Sequence, residues 1–99
     1  MARILVVDDE DGIRKVLRQL LEYEGHEVRA ATSGGEALTV YPEFRPDIVF
    51  LDVKMARMDG LEVLGRLREQ DPNAIVVMIS GHGTIETAVE ATRRGAYDF

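Results

Sequence analysis

Two apolar runs, each ending in acid, constrain this chain more than any other feature. Ile48-Val49-Phe50-Leu51 follows Asp47 and ends on Asp52; Ile4-Leu5-Val6-Val7 ends on Asp8-Asp9-Glu10. Unbroken apolar runs of this length suit strands covered on both faces, as in a parallel sheet. In open α/β sheets ligands bind at the carboxyl edge of the strands. If these two strands are neighbours, Asp8, Asp9 and Asp52 meet at that edge. Each like-charge pair about 4 Å apart then costs about 4 kcal/mol at an effective dielectric of about 20. A bound cation or a raised pKa must relieve that repulsion. All-oxygen donors favour a hard ion, Mg2+ before Ca2+ or Mn2+. The competing reading is that Asp8 and Asp9 merely cap the next helix; the acid ending the second run tips the balance to the cation. A carboxylate in such a place can attack a phosphoryl donor and form an acyl phosphate, so Asp52 is the candidate nucleophile.

The rest of the chain alternates helix and strand. Strand one is expected over Arg3–Val7, followed by an acidic turn in which Asp9 or Asp11 can cap a helix. Ile13, Val16, Leu17, Leu20 and Leu21 form one helical stripe from about Gly12 to Glu24, and Gly25 is a natural stop. Strand two is Glu27–Ala31. Ser33-Gly34-Gly35-Glu36 fits a capping box and opens helix two, with Ala37, Leu38 and Tyr41 inward. Pro42 should end or kink that helix near Tyr41. Helix three is expected over Leu61–Glu69, with Leu61, Leu64 and Leu67 on one side. After the Asp71-Pro72-Asn73 turn, strand four covers Ala74–Ile79 and ends at Ser80. Thr84 can cap helix four, which is expected to carry Ile85, Ala88, Val89 and Thr92 and to be stopped by Gly95. Tyr97-Asp98-Phe99 reads as the start of a fifth strand. Strict β-α alternation calls for a parallel sheet covered by helices.

Composition narrows the chemistry. The 99 residues suffice for one small domain, and there is no cysteine, which excludes disulfides and thiolate sites. No apolar run approaches the roughly 20 residues that span a bilayer, and Met1-Ala2-Arg3 lacks a signal-peptide layout; a cytoplasmic protein is the expectation. With 12 basic against 18 acidic residues, the net charge of −6 argues against nucleic-acid binding by this domain alone. No Gly-x-x-x-x-Gly-Lys phosphate loop is present. Asp52-Val53-Lys54 lacks the second acid of the Asp-x-Asp phosphatase pattern. Ser80 can offer a hydroxyl beside the acids or serve as a turn residue. His82 lies in the neighbouring loop, and His26 reads as a solvated turn residue.

Taken with Met58-Asp59-Gly60 and Ser80-Gly81, the two acid-ended runs make the whole chain resemble the receiver domain of two-component response regulators. The stretch Ser80 to Val89, with Gly95-Ala96-Tyr97-Asp98-Phe99, is most similar to the nitrogen-regulatory class, whose members act with the alternative sigma factor. The resemblance implies a flavodoxin-like (CheY-like) three-layer α/β fold with strand order 2-1-3-4-5. It implies that residues 1–99 form a receiver domain lacking its last helix. Asp52 would accept a phosphoryl group from a sensor histidine kinase. Mg2+ would be held by Asp8, Asp9, Asp52 and the Lys54 carbonyl. Ser80 would be the switch hydroxyl and Phe99 the switch aromatic. Lys54 and His82 would tune phosphoryl lifetime. It implies no enzyme activity beyond self-phosphorylation and self-dephosphorylation, and an output domain in a longer chain controlling transcription. Two departures stand out: Ala56 replaces the family's usual proline, and the lysine expected about three residues beyond Phe99 is missing. The lysine's absence leaves a non-switching interaction module as the alternative. The uncovered sheet face that a missing helix would leave predicts self-association.

Overall fold

A computed structural model describes residues 1–53, 55, 59–79 and 85–98, with the backbone alone for 85–88. Its elements are β1 (Arg3–Val7), α1 (Asp11–Tyr23), β2 (Glu27–Ala31), α2 (Gly34–Phe44), β3 (Ile48–Asp52), α3 (Gly60–Gln70), β4 (Val76–Ile79) and α4 (Ile85–Arg93). All pairings are parallel, in the order β2-β1-β3-β4. Among the described residues the segment expected to begin a fifth strand makes a parallel bridge, Val77 to Asp98, which sets it beside β4. Tyr97 N–H donates to the Val76 carbonyl at 2.8 Å and Met78 N–H to the Asp98 carbonyl at 3.0 Å. Phe99 lies outside the described residues.

The main core lies between the sheet and α2, α3 and α4. Leu5, Val7, Val49, Leu51, Val76 and Met78 from the strands meet Ala37, Tyr41, Phe44, Val63, Leu64, Leu67 and Ala91. The other face carries a smaller cluster, Ile4, Val6 and Val28, against which Leu17, Leu21 and Phe50 pack. Alternate residues of every strand thus face opposite layers.

Several expectations need correction. The α1 stripe is not uniformly inward: Leu17 and Leu21 pack on the sheet, whereas Ile13, Val16 and Leu20 are exposed. Neither Asp9 nor Asp11 caps α1; the cap position is Glu10, which makes no side-chain cap bond. Pro42 does not end α2, which runs on to Phe44 and closes on a left-handed Arg45 (φ 51°). Proline deletes only the one donor that would reach back along the helix, and the Arg45 N–H still reaches the Tyr41 carbonyl at 2.9 Å. Among the described side chains of α4 Ala91 is buried, while Val89 and Thr92 face solvent; those of Ile85 and Ala88 lie outside the described residues. His26 is partly buried and its Nδ1 accepts the Ala2 N–H at 3.0 Å, so it ties down the start of β1. β4 is shorter than expected, with Ile75 exposed before it.

Two helix signals that rest on local geometry are present, the Gly25 stop and the Ser33–Glu36 capping box. At the end of α1 Gly25 N–H donates to Glu22 O and His26 N–H to Leu21 O, with Gly25 at φ 90°. This paired closure requires the left-handed conformation that glycine adopts without strain. Ser33 Oγ accepts the Glu36 N–H at 3.2 Å, and Glu36 reaches back to the Thr32 N–H at 2.6 Å.

Candidate functional site

Parallel register brings the acids together. Val7 lies beside Leu51, so the next residues, Asp8 and Asp52, flank each other at the sheet's carboxyl edge. Asp52 is in turn paired with Ile79 of β4. Asp8 is 4% exposed, Asp52 partly buried and Asp9 exposed. One carboxylate oxygen from each of Asp8, Asp9 and Asp52 lies within 4.8 Å of the others. Two opposite ligands of an octahedral Mg2+, each at about 2.1 Å, stand about 4.2 Å apart. The three oxygens therefore fit such an ion after a small contraction. They also form a graded site, with a buried acid at the base and an open one at the mouth.

Asp8 is held by β2 and by its own turn. Its N–H donates to the Ala31 carbonyl at 3.2 Å, and its Oδ1 accepts the Glu10 N–H at 2.9 Å. Arg14, on the first turn of α1, donates from Nη1 to the Asp8 backbone carbonyl at 2.7 Å and pairs through Nη2 with Asp11. Nothing in the apolar stripe marks Arg14; its sequence signal is the Asp11–Arg14 spacing of three, which places opposite charges together on a helix.

Asp52 is backed by α3. Gly60 N–H donates to the Val53 carbonyl at 2.7 Å, and Asp59 caps the helix by accepting the Glu62 N–H at 3.0 Å. A Cβ at Gly60 would stand 2.8 Å from Val53 Cα and 2.9 Å from the Asp52 carbonyl carbon, and would overlap the Asp52 carbonyl oxygen. All three are backbone atoms, so only glycine allows the helix to start this close to the candidate nucleophile. The helix N-terminus there carries partial positive charge, which favours anions nearby. The remaining residues expected at the site, Lys54, Ser80, His82 and Phe99, lie outside the described residues, as do Ala56 and Thr84.

Comparison with known proteins gives a consistent family. The profile described as the response regulator receiver domain matches residues 4–99. The nitrogen assimilation regulatory protein NtrX of Azorhizobium caulinodans is 48% identical over 98 residues, 97% of this chain and 22% of that protein. The chain thus spans about a fifth of the length of that relative. The chemotaxis protein CheY of Listeria monocytogenes is 41% identical over 100 residues, covering the whole chain and 84% of CheY. Among solved structures, the receiver domain of NtrX from Brucella abortus superposes with a TM-score of 0.89 at 52% identity, over 97% of this chain and 82% of that one.

Proposed function

This chain belongs to the response regulator receiver domain family, and we propose on that premise that Asp52 is its phosphoryl acceptor. The observation that carries this reading is the convergence of the Asp8, Asp9 and Asp52 carboxylates within 4.8 Å at the sheet's carboxyl edge. In the proposed step an Asp52 carboxylate oxygen attacks the phosphorus of a phosphohistidine on a sensor kinase. The P–O bond to Asp52 forms as the P–N bond to the histidine breaks, and the imidazole leaves as the free ring after taking up a proton. Later attack by water returns Asp52 and inorganic phosphate.

Asp8, Asp9, Asp52 and the backbone carbonyl of Lys54 would hold Mg2+. The chemistry such an ion would supply there is neutralisation of charge developing on the phosphoryl oxygens. Asp8, buried and fixed by the Glu10 N–H, gives a rigid ligand. Asp52 is placed for attack by the β3 register and the close approach of α3. Ser80 would donate its hydroxyl to the phosphoryl group and Phe99 would report the change. Lys54 and His82 would set how long the group persists. Residues 1–99 act as one receiver unit whose state controls a transcriptional output elsewhere in a longer, cytoplasmic protein. That output rests on similarity to NtrX, a nitrogen assimilation regulator.

The test is incubation with Mg2+ and a small phosphoryl donor, read by intact mass. One phosphoryl adduct is expected, and none in Asp52→Asn. An unmodified wild-type chain at every donor concentration would overturn the assignment. Millimolar Mg2+ should also raise the melting temperature, because the ion binds a site formed only in the native state. Asp9→Ala should remove that rise.

A further inference from the structure

Arg14 is out of place by simple electrostatics. It puts a cation in the first turn of α1, where the helix dipole disfavours positive charge. It also stands beside three carboxylates that suit a divalent ion, and its charge alone would weaken binding of that ion. Yet it is the most enclosed of the ion-paired arginines among the described residues, with its side chain 14% exposed against 44–55% for Arg18, Arg66 and Arg94.

Its contacts account for the placement. Nη1 donates to the backbone carbonyl of Asp8 at 2.7 Å, and Nη2 is anchored by Asp11. The Arg14 N–H donates to the Glu10 carbonyl at 3.2 Å. Glu10, at the cap of α1, makes no side-chain cap bond. The guanidinium therefore supplies the tie between helix and turn that a capping side chain would otherwise provide. The peptide it holds is the one joining Asp8 to Asp9.

We propose that Arg14 is a positioning residue for the acidic site: its guanidinium fixes the Asp8–Asp9 peptide so that both carboxylates face Asp52. The proposal rests on the cation-assisted phosphoacceptor reading and specifies what holds that site in register. Groups that orient metal ligands from behind commonly change metal affinity 10- to 100-fold, roughly, when removed.

The sign of one measurement decides between positioning and charge. Mg2+ dissociation constants are obtained from the melting temperature across a Mg2+ titration, for the wild-type chain, Arg14→Ala, Arg14→Lys and Lys15→Ala. Lys15 is the exposed neighbour with the same charge and no tie to the turn. Removing positive charge alone tightens Mg2+, so Lys15→Ala should bind equally or slightly more tightly. Arg14→Ala should bind about tenfold more weakly, against its own electrostatics. Arg14→Lys, with charge kept and one donor able to reach the carbonyl, should fall between. Arg14→Ala binding as tightly as wild type, or tighter, overturns the proposal. If Arg14→Ala does not fold, Arg14→Lys decides by the same criterion, with unchanged affinity as the overturning result. A wild-type chain without any Mg2+ response overturns the cation reading itself, and is distinguished by the flat titration in every variant.

Discussion

Tyr41 and Gly60 make opposite demands on their surroundings. The Tyr41 hydroxyl donates to Asp71 Oδ2 at 2.9 Å from a mostly buried ring. Burial first, then the hydrogen bond and charge of Asp71, push its pKa from 10 up to about 12. A folded pKa above the unfolded one means that the neutral hydroxyl stabilises the fold fully below pH 10. That contribution is lost as pH rises toward 12. Tyr41→Phe should therefore cost about 1 kcal/mol at neutral pH. It should also flatten the loss of stability between pH 10 and 12, as followed by urea unfolding at several pH values. Gly60 is constrained by space alone, since a Cβ would strike the Asp52–Val53 backbone, whereas Gly65 on the same helix has nothing within 4 Å. Gly65→Ala should stabilise by roughly 0.5–1 kcal/mol through helix propensity. Gly60→Ala should destabilise by roughly 1–3 kcal/mol through the forced backbone shift. Urea midpoints of the two variants moving in the same direction would contradict this account of Gly60.

At the scale of elements, equal sequence patterns have unequal energies. α1 and α3 both carry leucines at helical spacing, but α3 buries Leu64 and Leu67 completely, while α1 has no buried residue. Leu64→Ala should cost about 2–5 kcal/mol by opening a cavity in the main core. Leu20→Ala on α1, at a position 59% exposed, should stay within about 0.5 kcal/mol. Thermal or urea unfolding of the pair measures the difference. α2 depends instead on its ends: Ser33 and Glu36 close its first turn, and Ser33→Ala should remove about 1 kcal/mol.

For the whole molecule the asymmetry of the two sheet faces matters most. One face is closed by three helices. On the other, Ile48, Phe50, Val77 and Ile79 stay partly exposed, and α1 turns Val16 (53% exposed) and Leu20 outward. Phe50 and Val77 are adjacent in register, so these side chains form a surface and not scattered points. Apolar surface of this kind is normally covered in a monomer. The 99-residue chain is expected to self-associate, with a mass by light scattering that rises with concentration. Leu20→Glu should shift it toward monomer. A monodisperse monomer with a sharp thermal transition at all concentrations would refute this.

The carboxyl-edge acids were readable in the chain because each ends an unbroken apolar run. Such runs must be central parallel strands, and β-α alternation leaves the strands no other direction in which to point. Asp8, Asp9 and Asp52 follow directly. The β1–β3 neighbourhood was only a condition until the register placed Val7 beside Leu51. Which stripe residues are buried was not readable. Ile13 and Leu17 belong to the same period, but burial depends on what lies opposite, and only the sheet beneath α1 determines that. Nor was the role of Arg14, whose long side chain has many rotamers until a turn offers it the Asp8 carbonyl. Local pattern dictates backbone and face; partners more than a few residues away dictate which side chains are held, and to what.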